Sequence, residues 1–419
     1  MKLPGFRDWF LPLALMGFAG PTVTFLPHAI FEFGRWVGAA VLLVYVFAAG
    51  ASLRSARPSL LLSGAAYVLW CVSTALWSPV PDLSIPKALA LACVLPAFLL
   101  GGIDWAIRGG QRNVLGYMWP YAAVAAGAAV LGREMSVGGT DIELYQGAAG
   151  GPNALGALAA SATPVVIWCL YRDWSKNSRR LLWLGVICFF LAALYLSNSR
   201  ASYLLFAAIA AGCIFALRPR TALPILLAIG ATVLSVALFE PEFTDSFVQR
   251  NVYKYSDEGE GGVFANRERE WDESYDAAVD GGWVGLGYGV STGDSAFFGG
   301  YTAVGYGREK GNSQLAVVEE TGIVGLALLL LLISAIFLEI WTAFRRCRKQ
   351  DQRMQLGLVL GGFIGLTLHS IFEAWWVAPG SLEFTYFWAL AGAGLGLAHT
   401  VRERRVDAKV AYGDQPLRA

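Results

Sequence analysis

Charged side chains are scarce in this sequence: they make up 15% of its 419 residues, against 56% for apolar ones. A soluble globular domain carries about a quarter charged residues, so the shortage excludes an ordinary water-soluble protein. The mean hydropathy of +0.51 supports the same conclusion. We therefore expect a chain that folds in a lipid bilayer.

Histidine and cysteine are also in short supply. The three histidines, His28, His369 and His399, are scattered and lack the spacing of metal ligands, so we expect no metal ion and no other cofactor. Of the six cysteines, five fall in apolar segments and Cys347 lies beside a basic stretch. That distribution does not imply a disulfide framework.

Long apolar runs, in contrast, are abundant. The hydrocarbon core of a bilayer takes roughly 20 apolar residues to cross as a helix. About twelve such windows occur, near residues 9–27, 36–52, 59–77, 87–103, 114–132, 153–171, 181–197, 201–217, 222–239, 313–344, 356–373 and 382–400. The predicted fold class is an all-α polytopic membrane protein of about twelve transmembrane helices. A signal peptide is the alternative for the first window, although no small-x-small cleavage site follows it.

The windows divide the chain into four parts. Helices one to nine occupy 1–240, a large loop occupies 241–312, helices ten to twelve occupy 313–400, and a tail occupies 401–419. Under the positive-inside rule, two basic clusters fix the orientation: Arg172, Lys176, Arg179 and Arg180, and then Arg345, Arg346, Arg348, Lys349 and Arg353. Both termini are predicted to be cytoplasmic, which places the large loop in the periplasm.

The loop 241–312 is too long for a simple connection, and its aromatic and glycine content favours an ordered structure. It holds more acidic than basic residues, so it is no general anion trap. An amphipathic stretch over 266–280 predicts a short interfacial helix that carries Arg267 and Arg269. The alternative for Arg269 is a place in a run of solvated charged residues. The glycine-rich segment 282–289 lacks the strand and helix of a dinucleotide site and predicts a tight turn or a close approach to a ligand.

Arg200 lies in a short polar connection between two apolar helices and is preceded by Ser199. A charged residue at membrane depth costs about 2.5 to 3.5 kcal/mol on insertion scales and is a functional hypothesis by default. A guanidinium at a helix start, with backbone N–H groups and serine hydroxyls beside it, can hold a phosphate group. The alternative is an arginine that snorkels to the interface from a helix end.

The tenth window, residues 313–344, would make a helix longer than the hydrocarbon core is thick. Its first turns should stand at the outer surface, which would bring four polar residues near the lipid headgroups: Asn312, Gln314, Glu319 and Glu320. For Asn312, an ordinary helix N-cap is compatible with this placement. In the eleventh window, His369 and Glu373 are one helical turn apart, which indicates either a proton-transfer pair or a structural hydrogen bond.

These landmarks together resemble the O-antigen ligase and Wzy-type polymerase family of bacterial cell-surface polysaccharide assembly. The resemblance covers most of the chain and includes Leu76-Trp77-Ser78-Pro79, Gly151-Pro152-Asn153-Ala154-Leu155-Gly156, Ser197-Asn198-Ser199-Arg200, the Arg267 to Trp271 spacing and Gly285-Leu286-Gly287-Tyr288-Gly289. Its most specific part is Asn312 followed, after nine residues, by Gly322-Ile323-Val324-Gly325, with Glu320 between them. In the ligases a histidine immediately precedes that asparagine, and Gly311 stands in its place here.

The resemblance implies a glycosyltransferase type C-like fold in the bacterial inner membrane. It also implies metal-independent transfer of a glycan from undecaprenyl pyrophosphate to an acceptor hydroxyl at the periplasmic face. Arg200 and Arg267 would hold the pyrophosphate and are expected to be catalytic, since one preorganised donor is typically worth about 10²- to 10³-fold in rate. Further residues are expected to bind substrate: Ser199, Arg269, Asn312, Gln314 and His369.

The missing histidine leaves the group that deprotonates the acceptor open. Gly311 cannot take a proton, and the candidates to replace it are Glu319, Glu320 and His369. Glu320 is favoured because it alone lies within the specific family spacing, although packing of its carboxylate against an arginine would serve structure instead. We therefore expect Glu320 to be the third catalytic residue.

The expected partners are an undecaprenyl-pyrophosphate-linked glycan donor, a glycan or lipid A core acceptor, and membrane lipids, with no nucleic acid. A polymerase that joins lipid-linked repeat units of O-antigen or exopolysaccharide is favoured, because polymerases of this family often lack the ligase histidine. A ligase that attaches the glycan to lipid A core is the alternative, supported by the ligase-like spacing after Asn312. A lipid-linked glycan transporter should show paired repeats and interrupted helices, which the sequence does not display.

Overall fold

The computed structural model describes residues 9–24, 27–108, 113–136, 143–218, 265–291 and 310–412, together with positions 220, 222–228, 231, 235 and 240. For residues 28–30, 133–136, 143, 265–269 and 404–412 it describes the backbone alone. Half of the predicted ninth window, 222–239, and two stretches of the predicted loop, 241–264 and 292–309, lie outside these residues.

The described chain is almost entirely helical. In order, its helices are α1 (Phe10–Ala19), α2 (His28–Ala49), α3 (Ala51–Ser55), α4 (Pro58–Ser73), α5 (Pro81–Arg108), α6 (Trp119–Val130), α7 (Pro152–Asp173), α8 (Asn177–Ser197), α9 (Arg200–Ala216), α10 (Ala265–Gly281), α11 (Ser313–Arg346), α12 (Gln350–His369) and α13 (Leu382–Tyr412). Short 3₁₀ turns occur at Gly20–Thr22, Thr74–Leu76, Gly116–Met118 and Trp375–Val377.

Each predicted window except 222–239 contains one of these helices. Six helical segments are long and apolar enough to cross a membrane: Phe31–Ala49, Pro58–Leu76, Pro81–Arg108, Pro152–Asp173, Asn177–Ser197 and Ser313–Arg346. The protein is thus an all-α polytopic membrane protein in its main architecture, and the expected total of about twelve spans stays a prediction.

A small β-hairpin follows α6 and was not predicted. Its strands, β1 (Arg133–Ser136) and β2 (Glu143–Gly147), pair antiparallel. The chain after β2 bonds back to the α1–α2 connection, where Thr24 N–H donates to the Ala148 carbonyl (2.7 Å). The hairpin therefore fixes the backbone just before α7 begins.

Glycine seams join two helix pairs in the core. Along α5 and α13, a Cβ on Gly102 would come within 2.9 Å of the Gly392 Cα. Along α9 and α12, a Cβ on Gly361 would come within 2.8 Å of the Ile209 Cα. Small residues of this kind let helix backbones approach closely in a bilayer.

The predicted continuous tenth helix is broken. Gly322 in α11 has φ +72° and ψ 178°, so two helical segments meet there at a kink. Hydrogen bonds from the glycine-rich segment 282–289 span the break: Leu286 N–H donates to the Glu319 carbonyl (2.9 Å), and Ile323 N–H donates to the Gly282 carbonyl (3.0 Å). The expected non-helical turn is confirmed, and the backbone that it approaches closely is α11.

The predicted interfacial helix is present as α10. Its exposed side includes Tyr275 and Val279, each 61% exposed, and the turn after it exposes Trp283 at 72%. These apolar side chains stand beside the start of the long apolar part of α11, where Ile323 is also exposed. Such a surface is suited to the interface between headgroups and hydrocarbon.

Candidate functional site

A cavity of about 430 Å³ opens where α7 and α11 begin and α12 ends. Its volume falls within the range of about 300 to 1,000 Å³ typical of small-ligand sites. The lining residues are Gly150, Gly151, Asn153, Ala154, Lys310, His369, Glu373, Ala374, Trp375, Ala378 and Glu383. Most of them belong to three connections, β2 to α7, the chain before α11, and α12 to α13.

The start of α11 holds the α12–α13 connection in place. Asn312 is the N-cap of α11, since its Oδ1 accepts from Leu315 N–H (2.9 Å), and its Nδ2 donates to the Ile371 carbonyl (3.0 Å). Gln314 Nε2 donates to Ser370 Oγ (3.0 Å). Asn312 and Gln314, both expected to bind substrate, thus contact the chain that lines the cavity.

The expected His369–Glu373 pairing within one helix is wrong, because α12 ends at His369. Both residues nevertheless line the cavity. Glu373 Oε1 accepts from Asn153 Nδ2 (2.9 Å), and His369 Nδ1 accepts from the indole N–H of Trp375 (3.2 Å). An indole nitrogen can only donate, so Nδ1 of His369 is the acceptor in this bond and carries no proton.

Glu319 and Glu320 have side chains that are enclosed by protein and not exposed on its surface. Both are 0% exposed, and both bind the ammonium group of Lys310, at 3.1 Å and 2.6 Å. Glu320 also accepts from Gly289 N–H (2.6 Å), whose carbonyl accepts from Lys87 Nζ (3.4 Å). Buried charges need such partners, so this cluster holds the glycine-rich segment against α11.

Arg200 is the first residue of α9, and Ser199 is its N-cap residue. Ser199 is almost fully buried, with its Oγ 2.8 Å from Ser202 Oγ. A Cβ on Gly156, in the second turn of α7, would come within 2.7 Å of the Ser199 Cβ. Because Asn153 in the first turn of α7 lines the cavity, the Arg200 turn lies next to it.

Arg267 and Arg269 lie in the first turns of α10, as the sequence predicted, and the structure describes their backbone alone. One turn further along, Trp271 Nε1 donates to the Gly311 carbonyl (3.2 Å), and the Trp271 ring packs against Phe372. The start of α10 is thereby joined to two of the three connections that line the cavity, the chain before α11 and the α12–α13 connection.

Position 311, where the ligases have a histidine, is tightly enclosed. A Cβ there would lie 3.0 Å from Glu270 Cβ and 3.3 Å from Trp271 Cδ1. Glycine allows α10 to pack closely against the chain before α11, and a Cβ at 311 would require these two side chains to shift by a few tenths of an ångström.

Of the residues expected in the site, His369 lines the cavity, as does Glu373, which was considered as its partner. Sequence reasoning singled out neither Glu383, which also lines the cavity, nor Lys310, which both lines it and binds the two buried glutamates. Asn153 lies inside the quoted Gly151 to Gly156 motif, so the signal for it was present. Lys310 stands one residue before the missing histidine, but nothing in the sequence distinguished it from the other basic residues of the loop.

Part of the sequence matches a known protein family. Residues 184–330 match the family model described as O-antigen ligase. The match begins in α8 and includes the Arg200 turn, α10 and the first part of α11. No curated protein matches the sequence. The resemblance read from the motifs is therefore confirmed over residues 184–330, which match the O-antigen ligase family model.

Proposed function

We propose that the protein is a glycosyltransferase of the bacterial inner membrane. It transfers a glycan from undecaprenyl pyrophosphate to an acceptor sugar hydroxyl at the periplasmic face, and in this way it polymerises O-antigen or exopolysaccharide repeat units. Both termini are cytoplasmic in this proposal, because the basic clusters lie at the end of the helices opposite the cavity.

One observation carries the proposal: residues from distant parts of the family pattern meet at one end of the helices. The Arg200 turn packs against α7, Asn153 of α7 bonds to Glu373, and Asn312 bonds to the same α12–α13 connection. A guanidinium at a helix start beside a cavity is suited to a phosphate-bearing donor. Arg200, together with Arg267 on α10, would neutralise the charge that develops on the departing pyrophosphate.

Gly311 favours polymerisation over ligation. Glycine cannot take the proton that the ligase histidine would accept, and a histidine at 311 would require Glu270 and Trp271 to shift by a few tenths of an ångström at its Cβ. Ligation to lipid A core is the second candidate, because the matching family model carries the ligase description. Purified protein offered both acceptors separates the two: elongation of lipid-linked repeat units supports a polymerase, and transfer to lipid A core supports a ligase.

Arg200→Lys tests the donor site. A lysine keeps the charge but cannot reproduce the bidentate fork of a guanidinium, so we expect product to fall by about 10²-fold or more. The measurement is the intensity of the glycan ladder from cells that lack the native gene and carry the variant at equal membrane abundance. Arg179→Lys, an exposed residue at the start of α8, is the matched control and should keep the ladder.

Full ladder intensity in Arg200→Lys would contradict the proposed donor site. Loss of the ladder in both variants would show that the substitution acts through general damage to the protein. Loss in Arg200→Lys alone, with normal abundance, is the expected result.

A further inference from the structure

We propose that Arg35 binds the pyrophosphate of a second undecaprenyl-linked substrate, the acceptor that a polymerase extends. This inference rests on the proposed polymerisation and assigns a binding residue to the acceptor carrier. In that reaction the donor and the acceptor are each attached to undecaprenyl pyrophosphate, so the protein has two pyrophosphates to hold. Arg200 and Arg267 are placed at the donor, which leaves the acceptor carrier without a cationic partner.

Arg35 is a charged residue inside the apolar segment Phe31–Ala49 of α2. A charge inside such a segment is costly and is by default a hypothesis of function. Ala39 and Leu42, on the same side of α2, are buried, whereas Phe33 and Val37 on the opposite side are exposed. Arg35 therefore faces the protein, as intramembrane charges with a functional role usually do.

The guanidinium of Arg35 has donors to spare. Among the residues that the structure describes, the Gly380 carbonyl alone accepts a hydrogen bond from it, from Nη1 (3.0 Å). Nε is buried and has no hydrogen-bond partner in the described part of the chain. An unsatisfied buried donor is costly, so we expect a further acceptor for it. A phosphate group can accept from two guanidinium nitrogens at once, in the bidentate pair that arginine forms with phosphates.

Arg35 and Arg200 approach the cavity from different helices. Gly380, the residue bonded to Arg35, comes two residues after Ala378 on the cavity wall, and two residues span at most about 7 Å. α2 packs against α1 and α5, whereas α9, which begins at Arg200, packs against α7 and α12. Two carriers held on these separate approaches would bring their glycans together at the cavity.

The alternative is a purely structural arginine. Its hydrogen bond to Gly380 ties α2 to the α12–α13 connection, its guanidinium carbon lies 5.1 Å from the centroid of the Trp36 ring, and Glu32 attracts its charge. The two roles differ in what they affect. Loss of a structural arginine would impair transfer to every acceptor, whereas loss of a carrier-binding arginine would impair only the acceptor that is joined to undecaprenyl pyrophosphate.

The first test compares two acceptors in Arg35→Gln, which keeps a polar side chain and removes the charge. The donor is the lipid-linked oligosaccharide extracted from cells lacking the protein. The acceptors are a fluorescently labelled portion of the same lipid-linked oligosaccharide and the labelled oligosaccharide released from its carrier. We expect KM for the lipid-linked acceptor to rise about 10- to 100-fold, the usual value of a lost hydrogen bond to a charged group. KM for the released acceptor should not change.

Arg54→Gln, an exposed arginine of α3, is the matched control and should leave both KM values unchanged. An equal rise in KM for both acceptors in Arg35→Gln would show a structural role and overturn the proposal.

Arg200→Lys, measured alongside, separates this inference from the proposed function. If Arg200→Lys loses transfer to both acceptors and Arg35→Gln changes neither KM, the Arg35 site is overturned and the proposed function stands. If the wild-type protein transfers glycan to neither acceptor, the proposed function fails and the inference with it.

A second measurement uses the wild-type protein and does not depend on a variant that folds. Undecaprenyl pyrophosphate without a glycan is added to the detergent-purified protein, and the bound molecules are counted by native mass spectrometry. We expect two carriers on the wild-type protein and one on Arg35→Gln. A single carrier on the wild-type protein would overturn the second site. Displacement of one of the two carriers by an equal amount of phosphatidylglycerol would show a general phospholipid site and would also overturn the proposal.

Discussion

At the scale of single residues, the buried cluster around Lys310 is the feature that sequence reasoning could not reach. Lys310 bonds to Glu319 and Glu320, and Lys87 from α5 reaches the same glycine-rich segment. Among the described residues, the ammonium of Lys310 therefore offsets part of the cost of burying the two carboxylates. In the sequence, Lys87 is more than 200 residues from Lys310, so only the fold brings these charges together.

Lys310→Met should destabilise the protein by about 3 to 5 kcal/mol, because it leaves two buried carboxylates without their partner. Lys310→Arg should cost less, since it keeps the positive charge. The measurement is the midpoint of thermal unfolding of the detergent-purified protein, followed by tryptophan fluorescence. Lys349→Met, an exposed lysine before α12, is the matched control and should leave the midpoint within about a degree or two.

An unchanged midpoint in Lys310→Met would mean that the cluster contributes nothing to stability.

Arg200, unlike the Lys310 cluster, could be identified from the sequence alone. The Arg200 turn could be read from sequence because a charge between two apolar windows has no ordinary explanation. The hydrogen bond between Glu373 and Asn153 could not, because the two residues lie 220 positions apart in the chain.

At the scale of elements, the break in α11 decides how the site is assembled. Length alone predicted an uninterrupted helix, since the apolar run continues through position 322. The break depends on hydrogen bonds from 282–289, including Val324 N–H to the Trp283 carbonyl (3.2 Å). Those hydrogen-bond partners are supplied by another part of the chain, so local sequence preference could not predict them.

The β-hairpin after α6 was also not predicted, because its strands are too short to stand out in an apolar sequence.

Gly322→Ala should damage the protein, because its φ of +72° with ψ near 180° is open essentially to glycine alone. A Cβ at this position would also collide with the Trp283 carbonyl group. We expect a loss of about 1 to 3 kcal/mol from backbone strain, with the collision adding to it. Thermal unfolding midpoints and the yield of monodisperse protein measure the effect.

Gly185→Ala is the matched control, since a Cβ on this glycine of α8 would meet nothing within 4 Å. Alanine in a helix interior is favoured over glycine by about 0.5 to 1 kcal/mol, so this variant should be unchanged or slightly more stable. Equal stability of the two variants would argue against a glycine-dependent break.

At the scale of the whole molecule, the composition and the periodic apolar windows were enough to predict the membrane class and most of the helices. They could not predict which helices pair, because lipid-facing and core-facing residues are equally apolar in a bilayer. The pairing of α5 with α13 and of α9 with α12 joins helices far apart in the sequence. The orientation remains a prediction that rests on the basic clusters.

Cysteine labelling tests that orientation. Asp272→Cys, on the exposed side of α10, should react with a membrane-impermeant maleimide in intact spheroplasts. Arg179→Cys, at the start of α8, should react only after the membrane is opened. Labelling is measured on the peptide that holds each position. The reverse pattern would place the cavity on the cytoplasmic side and exclude a periplasmic reaction.

If the protein transfers a glycan as proposed, the glycine seams set a limit on how it can change its choice of glycan. The segment that lines the cavity between α12 and α13 is anchored at both ends, because α12 is in backbone contact with α9 and α13 with α5. Helices joined so closely cannot slide apart to admit a bulkier sugar without losing their packing. A different acceptor would therefore be accommodated by exchanging side chains on the cavity wall, and the helical frame could serve many glycans unchanged.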